Sequence, residues 1–119
     1  MVTTELQLKL RAFNEAFASN DIDAVLSMVT DDIEWAMAGD HTIVGKDNMA
    51  HALREMASNE IMTLTIHNII THGRTAAVNG ELQAPNGGSR YGFCDVYQLN
   101  GLKDPKIKVL TSYVAELVD

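Results

Sequence analysis

An α+β fold, with helices ahead of a long-stranded antiparallel sheet, is what this chain predicts, and three observations carry the prediction. Apolar residues recur at helical spacing only in the first half; β-branched and aromatic residues concentrate in the second; turn-forming residues separate the segments. At 119 residues the chain fits one domain, residues 1–119, large enough to bury a single core without staples.

From about Thr4 to Ser19, Leu6, Leu10, Phe13 and Phe17 form one apolar stripe of an amphipathic helix. Asn20 and Asp21 can cap a second, short helix that carries Ile22, Val25, Leu26 and Val29 and ends near Thr30. Ile33, Trp35 and Met37 alternate as a strand does, and the stretch Gly39 to Gly45 breaks the pattern. A third helix follows, with Met49, Ala52, Leu53 and Met56 inward. The second half reads as four strands: Ile61 to Thr71, Thr75 to Ala84, Ser89 to Leu99 and Lys106 to Val118. Gly73, the Pro85-Asn86-Gly87-Gly88 run and the Asn100 to Pro105 loop join them, so a meander is the economical topology. Such a sheet must curl around the helices to cover their apolar stripes, and a curled sheet leaves a cavity at its open end.

Composition narrows the function classes. Hydrophobic content of 46% with 21% charged is ordinary for a globular chain, and no apolar run approaches the roughly 20 residues needed to span a membrane. The first residues lack a basic stretch followed by an apolar core, and a cytoplasmic location is the expectation. The single cysteine, Cys94, cannot form an internal disulfide, in keeping with a reducing compartment. A formal charge of −7, with nine dispersed Lys and Arg residues, disfavours nucleic acid as a partner.

One acid stands out. Asp95 shares the strand face of Tyr91, Phe93 and Tyr97, so a carboxyl group is framed by three aromatic rings. Desolvation there raises its pKa, and a carboxyl kept protonated near neutrality can donate a proton. The same alternation also fits an edge-strand acid reaching solvent between surface tyrosines, and periodicity alone does not choose. Trp35 and Met37 suit a cavity wall and a core equally. His67 and His72, five apart on one strand segment, point to opposite faces, and His41 and His51 have no ligand spacing, so neither a metal site nor a cofactor is expected. Cys94 has the opposite parity to Asp95 and should face away from the pocket, in a sheet or dimer contact. Asn79 and Glu81 share one face, either at a pocket rim or in water.

The stretches FNEAFASNDIDAVLSMVTDDIEW, GKDNMAHAL, FCDVYQLNG and KIKVLTSYV together resemble the nuclear transport factor 2-like superfamily, which includes SnoaL-like polyketide cyclases, ketosteroid isomerases and limonene epoxide hydrolase. The resemblance covers nearly the whole chain and implies a cystatin-like α+β cone, with three N-terminal helices packed in a curled antiparallel sheet. It also implies a pocket inside the curl and a homodimer through the outer sheet face, where Gly92, Cys94 and Val96 alternate. It places Asp95 in the pocket, where steroid isomerases hold a protonated acid. The partner tyrosine of that chemistry is replaced by Phe13, and the general-base position falls on Ala36 or Met37, leaving Asp40 or His41 as the nearest replacements. The acid-arginine-acid set of epoxide hydrolase falls on Glu81, Asn79 and Ser112, of which one at best survives. A SnoaL-like cyclase needs one acid-base residue acting on an already acidic C–H, and Asp95 could be it.

The expected protein is therefore a small-molecule-binding SnoaL-like domain, with Asp95 as the candidate catalytic residue in proton transfer on a largely apolar metabolite. Trp35, Met37, Tyr91, Phe93, Tyr97 and Ser112 are its candidate substrate contacts. The alternative is a non-catalytic ligand-sensing or dimerisation domain.

Overall fold

The computed structural model describes residues 4–56 and 61–118. Helix α1 (Glu5–Ala18) opens with a capping box: the Thr4 hydroxyl accepts from the Gln7 amide at 3.1 Å while the Gln7 side chain accepts from the Thr4 amide at 3.2 Å. Leu10 and Phe13 of its stripe are fully buried, and Leu6 and Phe17 are partly so. Asp21 caps α2 (Ile22–Ser27) by accepting from the Ala24 amide, and Asn20 turns the chain beforehand in the left-handed region at φ 61°.

Val29, expected as the last apolar residue of that helix, is instead the first residue of β1 (Val29–Met37). Its β-branched side chain is completely buried beside Ile107, whose amide donates to the carbonyl of Met28 at 2.9 Å. The glycine-bounded stretch also contains a strand, β2 (Thr42–Val44), paired antiparallel with β1 through Trp35 and Ile43. Three residues are too few for alternation to reveal. Helix α3 (Lys46–Met56) follows these strands, so the three helices of the first half are divided by β1 and β2. Met49 and Leu53 of α3 are buried as expected, whereas Met56 is more than half exposed.

Four strands complete the sheet: β3 (Thr63–His72), β4 (Thr75–Gln83), β5 (Arg90–Leu99) and β6 (Ile107–Leu117). They form the expected antiparallel meander, and the spatial order β2-β1-β6-β5-β4-β3 adds a parallel β1–β6 pairing. That pairing brings Trp35 beside Leu110 and Met37 beside Ser112. At Gly80 strand β4 comes close to β3, so that a Cβ there would collide with the backbone of Thr65. A bulge lies between Ile66 and Asn68 on the same edge, where it bends β3. The helices pack against the concave face, α1 onto β3 and α3 onto β1, and the core lies between the layers.

Candidate functional site

Part of the concave face is left unfilled. A cavity of about 300 Å³, at the lower end of the range for small-molecule sites, lies between α1, the end of α3 and the inner face of the sheet. Phe17, Met56, Leu64, Leu82 and Leu110 make most of its wall apolar, and Asp95, Asn14, Ser112 and Asp40 supply the polar groups.

Asp95 is placed by register. Its cross-strand neighbours are Val78 on β4 and Ser112 on β6, so the Ser112 hydroxyl reaches the carboxylate and donates to it. Ser112 in turn accepts from the Trp35 indole N–H at 3.2 Å. On the other side, Tyr97 Oη donates to Asp95 Oδ2 at 3.4 Å and accepts from Asn14 Nδ2 at 2.9 Å. Asn14 Nδ2 also donates to the Leu10 carbonyl at 2.8 Å, which fixes the orientation of the amide, because a carbonyl can only accept. Two short relays, Asn14 to Tyr97 and Trp35 to Ser112, thus converge on one carboxylate with every hydroxyl directed towards it.

Burial pushes the Asp95 carboxyl up from 3.8 to about 6, against the opposing effect of the hydrogen bonds from Ser112 and Tyr97. The direction is the one expected for an acid framed by aromatic residues. Its consequence differs: a carboxyl at about 6 is mainly ionised at pH 7, the form that accepts a proton rather than the one that donates it. Burial and the adjacent Asp95 carboxylate raise the Tyr97 hydroxyl, which therefore stays protonated.

Trp35, Met37, Phe93 and Ser112 line the cavity with Asp95. Tyr97 does not. It is wholly buried behind Asp95, edge-on to Phe13 with ring centroids 5.9 Å apart, and it acts on the cavity only through its hydroxyl. Tyr91 lies at the far end of β5 and lines a second cleft with Leu82, Met62 and Ile22. Sharing a strand face did not make the four residues share a pocket, because the strand runs from the core to the open rim across ten residues. Asn14 was not anticipated. A lone polar residue between the apolar positions of α1 was its only sequence signal.

The neighbouring candidates separate cleanly. Asp40 reaches the cavity mouth from the β1–β2 turn, where Gly39 at φ 81° lets the Asp40 amide close back onto the Met37 carbonyl. Its carboxylate pairs with the exposed His41 ring at 2.9 Å. Glu81 lies on the outer face, held at 3.0 Å by both His67 and Arg90, and Asn79 beside it accepts from Asn68. The inner positions of β4 are Ala76, Val78, Gly80 and Leu82, so no arginine from that strand enters the cavity. Cys94, partly buried, stands on the outer face between Asn79 and Tyr113. Among the described residues no group of His, Cys, Asp and Glu is arranged to hold a metal ion, and no helix is long and apolar enough to cross a membrane.

Residues 10–109 match the profile of the SnoaL-like domain. Among curated proteins, no sequence matches this one. Solved structures that superpose on it include an NTF2-like protein of unknown function from Cytophaga hutchinsonii, at 23% identity and a TM-score of 0.69 over 91% of this chain and 97% of that one. An LEH-like epoxide hydrolase of M. tuberculosis superposes at 23% identity with a TM-score of 0.73, over 90% of this chain and 80% of that one. A de novo designed protein with a curved β-sheet reaches a TM-score of 0.74 at 14% identity, over 97% and 88%. These likenesses establish the fold alone, since an enzyme and a design share it.

Proposed function

We propose, from the premise that this chain belongs to the SnoaL-like domain family, that it binds a small, largely apolar metabolite in the cavity beneath α1 and moves a proton through Asp95. The observation that carries the reading is the buried carboxylate on the cavity wall, with two hydroxyl relays aimed at it and a pKa near 6. An acid in that range combines a large carboxylate fraction at neutral pH with useful basicity. Asp95 is the base in this reading; Trp35, Met37 and Phe93 contact the substrate, and Ser112 and Tyr97 hold the carboxylate in place. Among the described residues the site has no second group free to stabilise an oxyanion, so the substrate C–H must already be acidic, as in a 1,3-dicarbonyl compound.

The protein works as a homodimer through the outer face of the sheet in this proposal. Ile70, Ala77 and Val96 stand in register across three neighbouring strands, and Tyr113 lies beside Cys94. Ile70 is 62% exposed and Tyr113 51% exposed, an apolar surface that a second copy would cover. The unpaired Cys94 suits a reducing, cytoplasmic setting.

Deuterium exchange into a simple 1,3-diketone tests the catalytic part. The expected result is exchange accelerated over buffer, rising with pH through about 6 and abolished by Asp95→Asn. Exchange that survives the substitution would assign the proton transfer elsewhere, leaving the non-catalytic ligand-binding alternative for Asp95.

A further inference from the structure

We infer that the cavity takes a small lipophilic amine, bound as its ammonium ion, with Asp95 as the counter-ion and the rings of Phe17, Trp35 and Phe93 around the cation. The inference rests on the pocket part of the reading above and specifies its occupant; Asp95 paired with an ammonium is a counter-ion, and no longer the base of that reading.

Asn14 has two amide N–H groups, and both are spent, on the Leu10 carbonyl and Tyr97 Oη. The Trp35 N–H is spent on Ser112, the Ser112 hydroxyl on Asp95, and the Tyr97 hydroxyl on Asp95. What remains for a ligand is acceptors: the Asp95 carboxylate and the Asn14 carbonyl oxygen. Among the described residues no Lys, Arg or His lines the cavity, while two carboxylates do, Asp95 on the wall and Asp40 at the mouth. An anionic ligand would meet repulsion with no donor to offset it. A ligand ammonium supplies the missing countercharge and the missing donors together, and aromatic faces favour a desolvated cation further. Burial without a cationic partner also accounts for the raised pKa of Asp95.

Three matched probes test this: 2-phenylethylamine, 2-phenylethanol and 3-phenylpropanoate, titrated at pH 7.5. Trp35 is the single tryptophan, so its indole N–H resonance reports occupancy of this cavity. The amine is expected to bind at least about tenfold tighter than the alcohol, with the carboxylate weakest. Asp95→Asn should bring amine and alcohol within about twofold while keeping the alcohol's affinity, which also shows that the variant is folded. The titratable groups facing the cavity are Asp95 from β5 and Asp40 from the turn, since α1 contributes Asn14, β6 contributes Ser112, and α3, β3 and β4 contribute Met56, Leu64 and Leu82. Lowering the pH from 7.5 to 5 should therefore weaken the amine about tenfold relative to the alcohol, as Asp95 takes up a proton. An alcohol or carboxylate that binds as tightly as the amine overturns the ammonium inference and leaves the pocket reading standing. If no probe shifts the Trp35 resonance at millimolar concentration, both fall.

Discussion

Replacing Asp95 with Asn should convert the pH dependence of stability in a way that can be worked out from one site. The carboxyl titrates at about 6 in the folded protein and at 3.8 when free of its surroundings. Below pH 3.8 both states are protonated and burial costs the carboxyl nothing. Between 3.8 and about 6 the unfolded chain ionises while the folded one keeps its proton, so rising pH favours unfolding; above about 6 the full cost is present. At about 1.4 kcal/mol per pH unit, that interval amounts to about 3 kcal/mol of stability missing at pH 7.5, of which about 2.5 kcal/mol is regained by pH 4. Asn is isosteric but cannot ionise. One of the two hydroxyls now aimed at the carboxylate will face the amide nitrogen, a cost of about 1–3 kcal/mol that does not change with pH. The sign of the difference at any single pH is therefore uninformative, and its slope is the signal. Urea unfolding of both proteins from pH 4 to 7.5 should show the variant gaining about 2.5 kcal/mol on the parent as pH rises, with the steepest change near pH 5. Other titrating groups occur in both proteins and cancel. A flat difference would mean that Asp95 is not desolvated, and the base reading would lose its physical ground.

Four further outcomes are expected. Phe13→Ala removes a ring that is 1% exposed and stacked edge-on against Tyr97, and should cost about 3–5 kcal/mol in urea unfolding; a loss under about 1 kcal/mol would show that this core is not packed as described. Gly80→Ala drives a Cβ into the Thr65 backbone and should destabilise by more than about 2 kcal/mol, although Ala is the better residue on propensity and burial; unchanged stability would place β3 further away. Val96→Glu puts a charge in the apolar row with Ala77 and Ile70, and sedimentation at micromolar concentration should change from dimer to monomer; a monomeric parent protein refutes the outer-face interface. A Δ5-3-ketosteroid should not be isomerised appreciably, since Phe13 cannot donate, no side-chain donor among the described cavity residues is free, and losing one oxyanion donor alone costs about 10² to 10³ in rate; rapid turnover abolished by Asp95→Ala would refute that subtraction.

The amino-acid sequence by itself determined the α+β class, the four-stranded meander, the stripe of α1 and the face on which Asp95 lies. All of these depend on local periodicity, 3.6 residues for a helix and two for a strand, together with turn residues at the ends. It determined the inward face of β5, yet not which inward residue would meet the cavity. Tyr97, Asp95 and Tyr91 alternate identically, and only the packing of α1 over one end of the strand made the first a buried support, the second a cavity group and the third part of another cleft. Asn14 became part of the site because α1 carries it across the sheet to Tyr97, 83 positions later in the chain. The parallel pairing of β1 with β6 brought Trp35 to Ser112, and Ser112 to Asp95, by register between strands remote in sequence. Val29 went to the strand for the same reason, since its place was settled by Ile107 rather than by its neighbours in α2. Periodicity states which way a side chain points; what it meets there depends on contacts between distant segments, whose closure no local pattern encodes.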